Sequence, residues 1–443
     1  MNLVRMLLAI AALSFVAAGR PGVLQDLPTV AAYEWTFFAP GDGAYLVGNM
    51  VVYKWMPTAG CFGDGTHCDA TLQHFQAPGE ARGRRIFSIG KEHYLAISIF
   101  GVDNPPNGVL YRANSLIYKW MPSASCFGNG STCGAPLQEI ATIGARDVEI
   151  IAIGGRFYLG VANYFDGTSY RQSLDVLEWL PESECFGASK ACGERVQTIP
   201  TTGAFAIDSM RIGGETYLAG TMSFDGASWG QNSLIFKWMP DQSCFGDGSD
   251  CGAALQQLAT LGAMEARHFT IDGSLYLAFA DFYNGSSFTE TPSFIYRWLD
   301  RQSCFGTKGS CGTPYQVLPS GNARGLEPLA IGTQHFLVSS NYYDGTSYNI
   351  DSKIYRWMRP AGCFGSGAAC GVPFQRIPTS GAAGAKVFVI GDKTYLAIAN
   401  YFDGTQYRLN SPLHVWMPGP GCFGDGVRCA GTVARPRSRK ILH

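Results

Sequence analysis

A tryptophan followed six residues later by a Cys-x6-Cys pair recurs seven times along this chain, about once every 60 residues. The tryptophans are Trp55, Trp120, Trp179, Trp238, Trp298, Trp357 and Trp416. The pairs are Cys61 with Cys68, Cys126 with Cys133, Cys185 with Cys192, Cys244 with Cys251, Cys304 with Cys311, Cys363 with Cys370 and Cys422 with Cys429, and they take in all 14 cysteines. Units this small bury too little apolar surface to fold alone, so the chain must stack them around a shared core. Even, local pairing predicts one disulfide per unit. Zinc is the alternative, but it wants four ligands, usually from pairs two to four residues apart with His nearby. Only His67 falls inside a loop.

Three other registers repeat with the cysteines. An aromatic-Leu pair opens a strand at Tyr45-Leu46, Tyr94-Leu95, Tyr158-Leu159, Tyr217-Leu218, Tyr276-Leu277, Phe336-Leu337 and Tyr395-Leu396. A second apolar strand leads into each Trp, and an apolar-Gln-x-apolar strand follows the cysteines. In the third repeat four strands, A to D, are predicted over 148–153, 158–164, 173–179 and 196–200. Their β-branched and aromatic content, bounded by Gly, Asp and Asn, supports strands. The expectation is all-β: a seven-bladed β-propeller with four antiparallel strands per blade.

The two ends complement each other. The seventh repeat has no D strand, while residues 23–28 match one, and Gln25 joins Gln73, Gln138, Gln197, Gln256, Gln316 and Gln375. The N-terminal strand is therefore expected to pair with the last blade, closing the ring and removing a free edge. One repeat is short: Tyr45 to Trp55 spans 10 residues, against 21 or 22 in five repeats and 26 in the second. The B–C hairpin of blade one is truncated.

Residues 1–19 carry Arg5, an apolar run over 6–18 and small residues at Ala17, Ala18 and Gly19. This predicts a secretory signal peptide, a propeller over 20–430 and a basic tail over 431–443 with Arg435, Arg437, Arg439 and Lys440. No later apolar run is long enough to span a bilayer. A net charge of −1 with 15% charged residues argues against a nucleic-acid partner. Asn129 and Asn284 each open an Asn-Gly-Ser glycosylation sequon.

The strings over 158–167, 173–179 and 197–204, and the cleanest copies over 341–357 and 395–404, resemble the EAR (epilepsy-associated, or EPTP) repeat. The resemblance covers essentially the whole chain after residue 19. It implies a seven-bladed propeller of secreted or cell-surface proteins, such as the leucine-rich glioma-inactivated proteins, acting as an extracellular protein-binding module without catalysis. The chain departs from that pattern by inserting Cys-Phe-Gly-x-Gly-x-x-Cys, with variation, between strands C and D.

Three features are candidates for function. All seven Cys loops begin Cys-Phe-Gly, with Phe62, Phe127, Phe186, Phe245, Phe305, Phe364 and Phe423; the rings either pack over the blade edge or form an exposed binding ring. Strand A carries a charge in every repeat: Glu34, Arg85, Glu149, Asp208, Arg267, Glu327 and Lys386. These are expected around one mouth of the central channel, pairing between blades or seating a ligand. Asp147 and Glu265 nearby could add oxygens for a Ca²⁺ ion in the channel; no other cofactor is expected. The B–C turns read Asp or Asn, then Gly-x-x-aromatic: Asn107 to Tyr111, Asp166 to Tyr170, Asp225 to Trp229, Asn284 to Phe288, Asp344 to Tyr348 and Asp403 to Tyr407. Gly suits the positive φ of such turns, and the aromatics either staple neighbouring blades or offer stacking surfaces. Antiparallel topology puts these turns and the charged ring on one face, the disulfide loops on the other, and a notch at blade one on the charged face.

The seven histidines (His67, His74, His93, His268, His335, His414 and His443) occupy non-equivalent repeat positions, and no catalytic motif is present. The expected function is a secreted module mediating protein–protein interaction or cell adhesion. A lectin-like or matrix-structural propeller that binds glycans is the second reading, and a propeller hydrolase the third.

Overall fold

Period-two alternation of apolar and polar residues writes the outer strands. In Gln138–Ile143, Gln138, Ile140 and Thr142 are buried while Glu139 and Ala141 are exposed. The B strands are buried along almost their whole length, as Glu92–Ile99 and Arg156–Asn163 illustrate, because each lies between two neighbouring sheets. The computed structural model describes residues 20–41, 43–103, 108–367 and 369–433. The leader expected over 1–19, the turn residue Asn107, and Arg435, Arg437, Arg439 and Lys440 of the basic tail lie outside the described residues.

The fold is all-β and antiparallel, with a single 3₁₀ turn at Pro122–Ala124 among the described residues. Each repeat forms its own sheet in the order A–B–C, followed by an outer column of two pieces. In the third repeat, strand C (Arg171–Leu180) pairs through its first half with strand D (Gln197–Thr202). Its last three residues pair with Cys185–Gly187. The Cys-Phe-Gly segment, expected as a loop, is thus a strand in line with D.

All seven expected disulfides form, and no described cysteine is free. Cys61 is bonded to Cys68, Cys126 to Cys133, Cys185 to Cys192 and Cys244 to Cys251. Cys304 is bonded to Cys311, Cys363 to Cys370 and Cys422 to Cys429. The two ends of each bridge differ in setting. The first cysteine is buried in every repeat, because it opens the Cys-Phe-Gly strand. The second lies at the solvent side of the loop: Cys68, Cys133, Cys192, Cys251, Cys311 and Cys370 are exposed and Cys429 is half-buried. Each bridge therefore fastens a surface loop to a buried strand of its own sheet and crosses no boundary between sheets.

Strand A of the seventh repeat (Ala382–Ile390) pairs with B (Lys393–Asn400), B with C (Arg408–Met417), and C with Gln25–Val30 from the other end of the chain. The residues after the last disulfide go elsewhere: Thr432–Val433 lies along Gln375–Pro378 of the sixth repeat. Each A strand contacts the A strand of the next repeat, and Thr36–Phe38 of the first contacts those of both the second and the seventh. Apolar clusters join neighbouring sheets; one unites Leu27, Tyr53 and Phe62 with Phe388, Tyr395 and Leu413.

A side-chain clamp also links each repeat to the next. The Gln that opens every D strand donates Nε2–H to the carbonyl of a cysteine-loop Phe and accepts that residue's N–H on Oε1. The pairs are Gln25 with Phe62, Gln73 with Phe127, Gln138 with Phe186, Gln197 with Phe245, Gln256 with Phe305, Gln316 with Phe364 and Gln375 with Phe423. The seven Phe rings are 0% exposed. Each packs against the Trp of its own sheet at 4.9–5.2 Å. An exposed Phe ring on the disulfide face is therefore excluded.

The first sheet is small. Strand B (Tyr45–Gly48) turns at once into C (Val51–Met56), and D is only Gln73–His74. Trp35 fills the inner space, packed so tightly over Gly48 that a Cβ there would fall 2.3 Å from its ring.

Candidate functional site: the channel and its turn-side mouth

In six repeats strand A is nine residues long and its charged residue is the fifth: Arg85, Glu149, Asp208, Arg267, Glu327 and Lys386. With Glu34 they line one cavity of about 330 Å³. The ring was expected at a channel mouth; it lies halfway along the strands instead. Arg85 gathers Glu34 (2.9 Å), Glu149 (2.8 Å) and Asp147 (3.3 Å). Arg267 reaches Glu34 at 3.4 Å and pairs with Glu265. Lys386 pairs with Glu327 at 3.0 Å, and His268 Nδ1 lies 2.8 Å from Asp208. Charges of both signs thus neutralise one another, and not only between neighbours: Glu34 of the first repeat meets Arg267 of the fifth.

Burial pushes Asp147 up to about 7 against the pull of Arg85, and pushes Glu265 up to about 7 against Arg267. Burial also opposes ionisation of Glu34, but Arg85, Arg267 and Arg84 outweigh it and hold that carboxyl below its ordinary value. The oxygens expected to suit Ca²⁺ are taken by guanidinium groups, Asp147 by Arg85 and Glu265 by Arg267, and Asp147 and Glu265 also accept the N–H groups of Ile207 and Leu326. No group of three metal-ligating side chains occurs among the described residues. The donor set does not fit a calcium ion.

The turn-side mouth is built by residues the sequence reading passed over. Each long A strand begins with a bulge, marked by a register shift such as that between Ala145 and Asp147. The residues released there include Arg82, Arg146, Phe205, Met264 and Arg324. Arg146 lies 3.6 Å from the centre of the Phe100 ring and also faces Tyr164 and Phe205. Arg82 faces Tyr33, Phe100 and Tyr401, and Arg324 faces Tyr33, Tyr342 and Tyr401. Phe100, Tyr164, Tyr342 and Tyr401 immediately follow their B strands.

Within this layer only Glu80 brings a negative charge: it pairs with Arg82 and accepts the Tyr401 hydroxyl at 3.0 Å. Arg82 is 5% exposed, and its Nε and Nη1 are buried without a partner, as are Nε of Arg146 and Nε of Arg324. Burial, with Arg82 beside it, lowers Arg146 to about 10. A chamber of about 30 Å³, the room of a single water, separates this layer from the charged ring. A repeat-by-repeat alignment three positions before the ring residues (Arg82, Arg146, Phe205, Met264, Arg324, Ala383) carries the signal, since unlike residues share one register there.

The turn aromatics are staples. Tyr111 packs on Phe165 at 5.0 Å, Tyr170 on Phe224 at 5.1 Å, Trp229 on Tyr283 at 5.6 Å, Phe288 on Tyr343 at 5.2 Å and Tyr348 on Phe402 at 4.8 Å, each reaching the next repeat. Tyr407 has no such partner and is 48% exposed. At the turns themselves an Asp carboxylate or Asn carboxamide accepts the following N–H groups, as Asp166 does from Thr168 and Ser169. Asn284 uses Oδ1 in the same way, and so does Asn129 in its disulfide loop.

Residues 194–239, 253–299, 313–358 and 372–406 match the EPTP domain. Over 365 residues, 81% of the chain, it is 27% identical to the mouse (Mus musculus) thrombospondin-type laminin G domain and EAR repeat-containing protein, and covers 48% of it. Over 280 residues, 63% of the chain, it is 32% identical to the human (Homo sapiens) protein of that description and covers 38% of it. The chain thus spans about half the length of the mouse relative or less of the human one. Among solved structures, a provisionally assigned 6-phosphogluconolactonase from Bacteroides fragilis superposes with a TM-score of 0.51 at 11% identity, over 93% of this chain and 96% of that one. At that identity the likeness concerns the fold alone.

Proposed function

We propose that this chain, which carries EPTP repeats, is a secreted seven-bladed β-propeller that binds an extracellular or cell-surface protein through its turn-side face, without catalysis. The cycle of A-strand contacts, the pairing of Gln25–Val30 with the seventh repeat and the clamp of Gln25 on Phe62 support a closed ring. Seven disulfides and the EAR-repeat relatives support an oxidising, extracellular setting.

The observation that carries the binding reading is the mouth layer. Three guanidinium groups sit among aromatic rings with one carboxylate between them, and four of their buried nitrogens lack acceptors. Leaving such donors unpaired is costly, and a carboxylate from a partner would satisfy them with charge-assisted hydrogen bonds. The partner surface is therefore acidic, with the aromatic rims of the mouth supplying contact area. The alternative of a multivalent lectin loses its basis where the turn aromatics are consumed by packing between repeats. Cell adhesion follows if the partner is membrane-anchored.

The test is proximity labelling of cell surfaces by the secreted chain, alongside a double variant, Arg146→Glu with Arg324→Glu, of matched thermal stability. The reading expects the labelled set to collapse in the variant and a glycan array to stay blank. An unchanged labelled set removes the turn-side mouth as the binding face. Mass spectrometry of the secreted chain should find glycans on Asn129 and Asn284.

A further inference from the structure

Blade-to-blade stapling is missing on both sides of the first repeat, and on one of them it leaves a turn aromatic bare. At five boundaries the turn aromatic of one repeat is covered by an aromatic residue that the next repeat places just beyond its B strand. Between the seventh and first repeats the covering residue does not exist, because strand B ends at Gly48 and strand C resumes at Val51. Among the described aromatic rings Tyr407 packs on Tyr401 and Phe402, both of its own repeat, at 5.3 and 4.6 Å.

The neighbouring residues are adapted to this gap. Gly144, Gly203 and Gly381 donate their N–H to the carbonyls of Tyr111, Tyr170 and Tyr348, with positive φ. A Cβ on any of them would fall 2.0–2.1 Å from the carbonyl oxygen of Phe165, Phe224 or Phe402 in the following repeat. The corresponding N–H donor to the Tyr407 carbonyl is Ala31, with φ 49°. A methyl group is tolerated there because the opposing carbonyl is missing. Trp35 closes the inner side of the shortened blade over Gly48, but among the described residues nothing comparable covers Tyr407, which is 48% exposed. Next to it, along Arg408 and Leu409, a groove of about 810 Å³ opens, lined also by Val30, Met50 and His74; Val30 is 53% exposed.

We propose that this gap is a docking site for a tight turn of a partner protein that presents an aromatic residue followed closely by glycine. The molecule itself supplies the template. At the intact boundaries the covering ring is followed two residues later by a turn glycine. Gly167, at φ 101°, lies so close to Tyr111 that a Cβ would sit 3.2 Å from that ring, and a Cβ on Gly404, at φ 102°, would sit 3.4 Å from the Tyr348 ring. A partner turn must therefore combine a ring that stacks on Tyr407 with a residue lacking a side chain above it. The site adjoins the arginine mouth through Tyr401, which faces Arg82 and Arg324, but it does not rest on the acidic-partner reading.

The probe is a fluorescent peptide of residues 160–176 of this chain, which carries the hairpin missing from the first repeat, titrated into the intact secreted protein. Saturable anisotropy is expected. It should weaken at least tenfold in Tyr407→Ser, whose thermal midpoint should stay near the parent's, and likewise with the peptide's Phe165→Ala form. Grafting residues 164–172 between Gly48 and Val51, together with Ala31→Gly, should abolish binding. The single variant Arg146→Glu, whose side chain faces Phe100, Tyr164 and Phe205 and not Tyr401, should leave it intact, so the two sites fail separately. No saturation by the peptide, or equal binding by Tyr407→Ser, overturns the proposal. Self-association that Tyr407→Ser abolishes would give the gap to a second copy and overturn a distinct partner.

Discussion

Gln25 holds Phe62 by both faces of its amide: Nε2–H donates to the Phe62 carbonyl at 2.7 Å, and Oε1 accepts the Phe62 N–H at 2.8 Å. The same clamp joins each later repeat to its successor, so this one pair ties the beginning of the chain to the first sheet while the Gln25–Val30 strand completes the seventh. Replacing Gln25 by Leu leaves the Phe62 N–H unpaired and its carbonyl held by the Asp69 N–H alone. The expected loss is about 1–3 kcal/mol, read by denaturant unfolding, with faster amide exchange at Phe62 and along Gln25–Val30.

Acid should loosen the same junction through a different group. His414 is fully buried and donates Nδ1–H to the Gly22 carbonyl at 2.8 Å, while Nε2 has no partner. Burial lowers it to about 4. An unfolded imidazole binds its proton near pH 6.5, so between those values the unfolded chain holds more protons than the folded one. The contribution is complete above about pH 6.5 and is lost as pH falls towards 4, amounting to roughly 3 kcal/mol. His414→Gln should flatten that part of the stability–pH curve relative to the parent; parallel curves would count against it.

Removing Arg85 should have the opposite pH signature. Arg85→Met leaves Glu34, Asp147 and Glu149 facing one another without their shared cation. Breaking a buried ion pair from one side costs about 3–5 kcal/mol. Asp147 already stands raised to about 7, so in the folded protein its protonated form is favoured once the pH falls below that value. The penalty should be large at pH 8 and shrink at pH 5, where unfolding curves of variant and parent draw together.

Tyr348 and Tyr407 hold the same register yet should respond differently to truncation. Tyr348 packs on Tyr342, Tyr343 and Phe402, and Tyr348→Ala should cost about 2–4 kcal/mol. Tyr407→Ala removes a ring that is 48% exposed and should cost less than about 1 kcal/mol. Thermal unfolding of the two variants side by side checks the difference; equal losses would mean that Tyr407 is covered in solution.

Much of the architecture was legible because it is written in registers that repeat. The cysteine pairs, the Trp-Phe packing partners, the D-strand Gln and the return of the N-terminal strand all occur at fixed offsets. The candidate site was legible only in part. The charged position of strand A was found, but its depth was not, because the predicted strands began several residues late: Ala145–Ile153 starts three residues before the expected 148. The bulge that releases Arg146 and Arg324 has no local sequence marker, since it depends on pairing with the end of strand B.

By itself, the sequence determined the unit, the number of its copies, the disulfide partners and the strand that joins the two ends, since each depends on spacing along the chain. Only the tertiary structure decided which charges meet, which arginine donors stay unpaired and which aromatic is left bare. Those outcomes depend on what distant repeats bring to one place: Glu34 reaches Arg267 across 233 residues, and Tyr407 stays exposed because of a hairpin that a different repeat lacks.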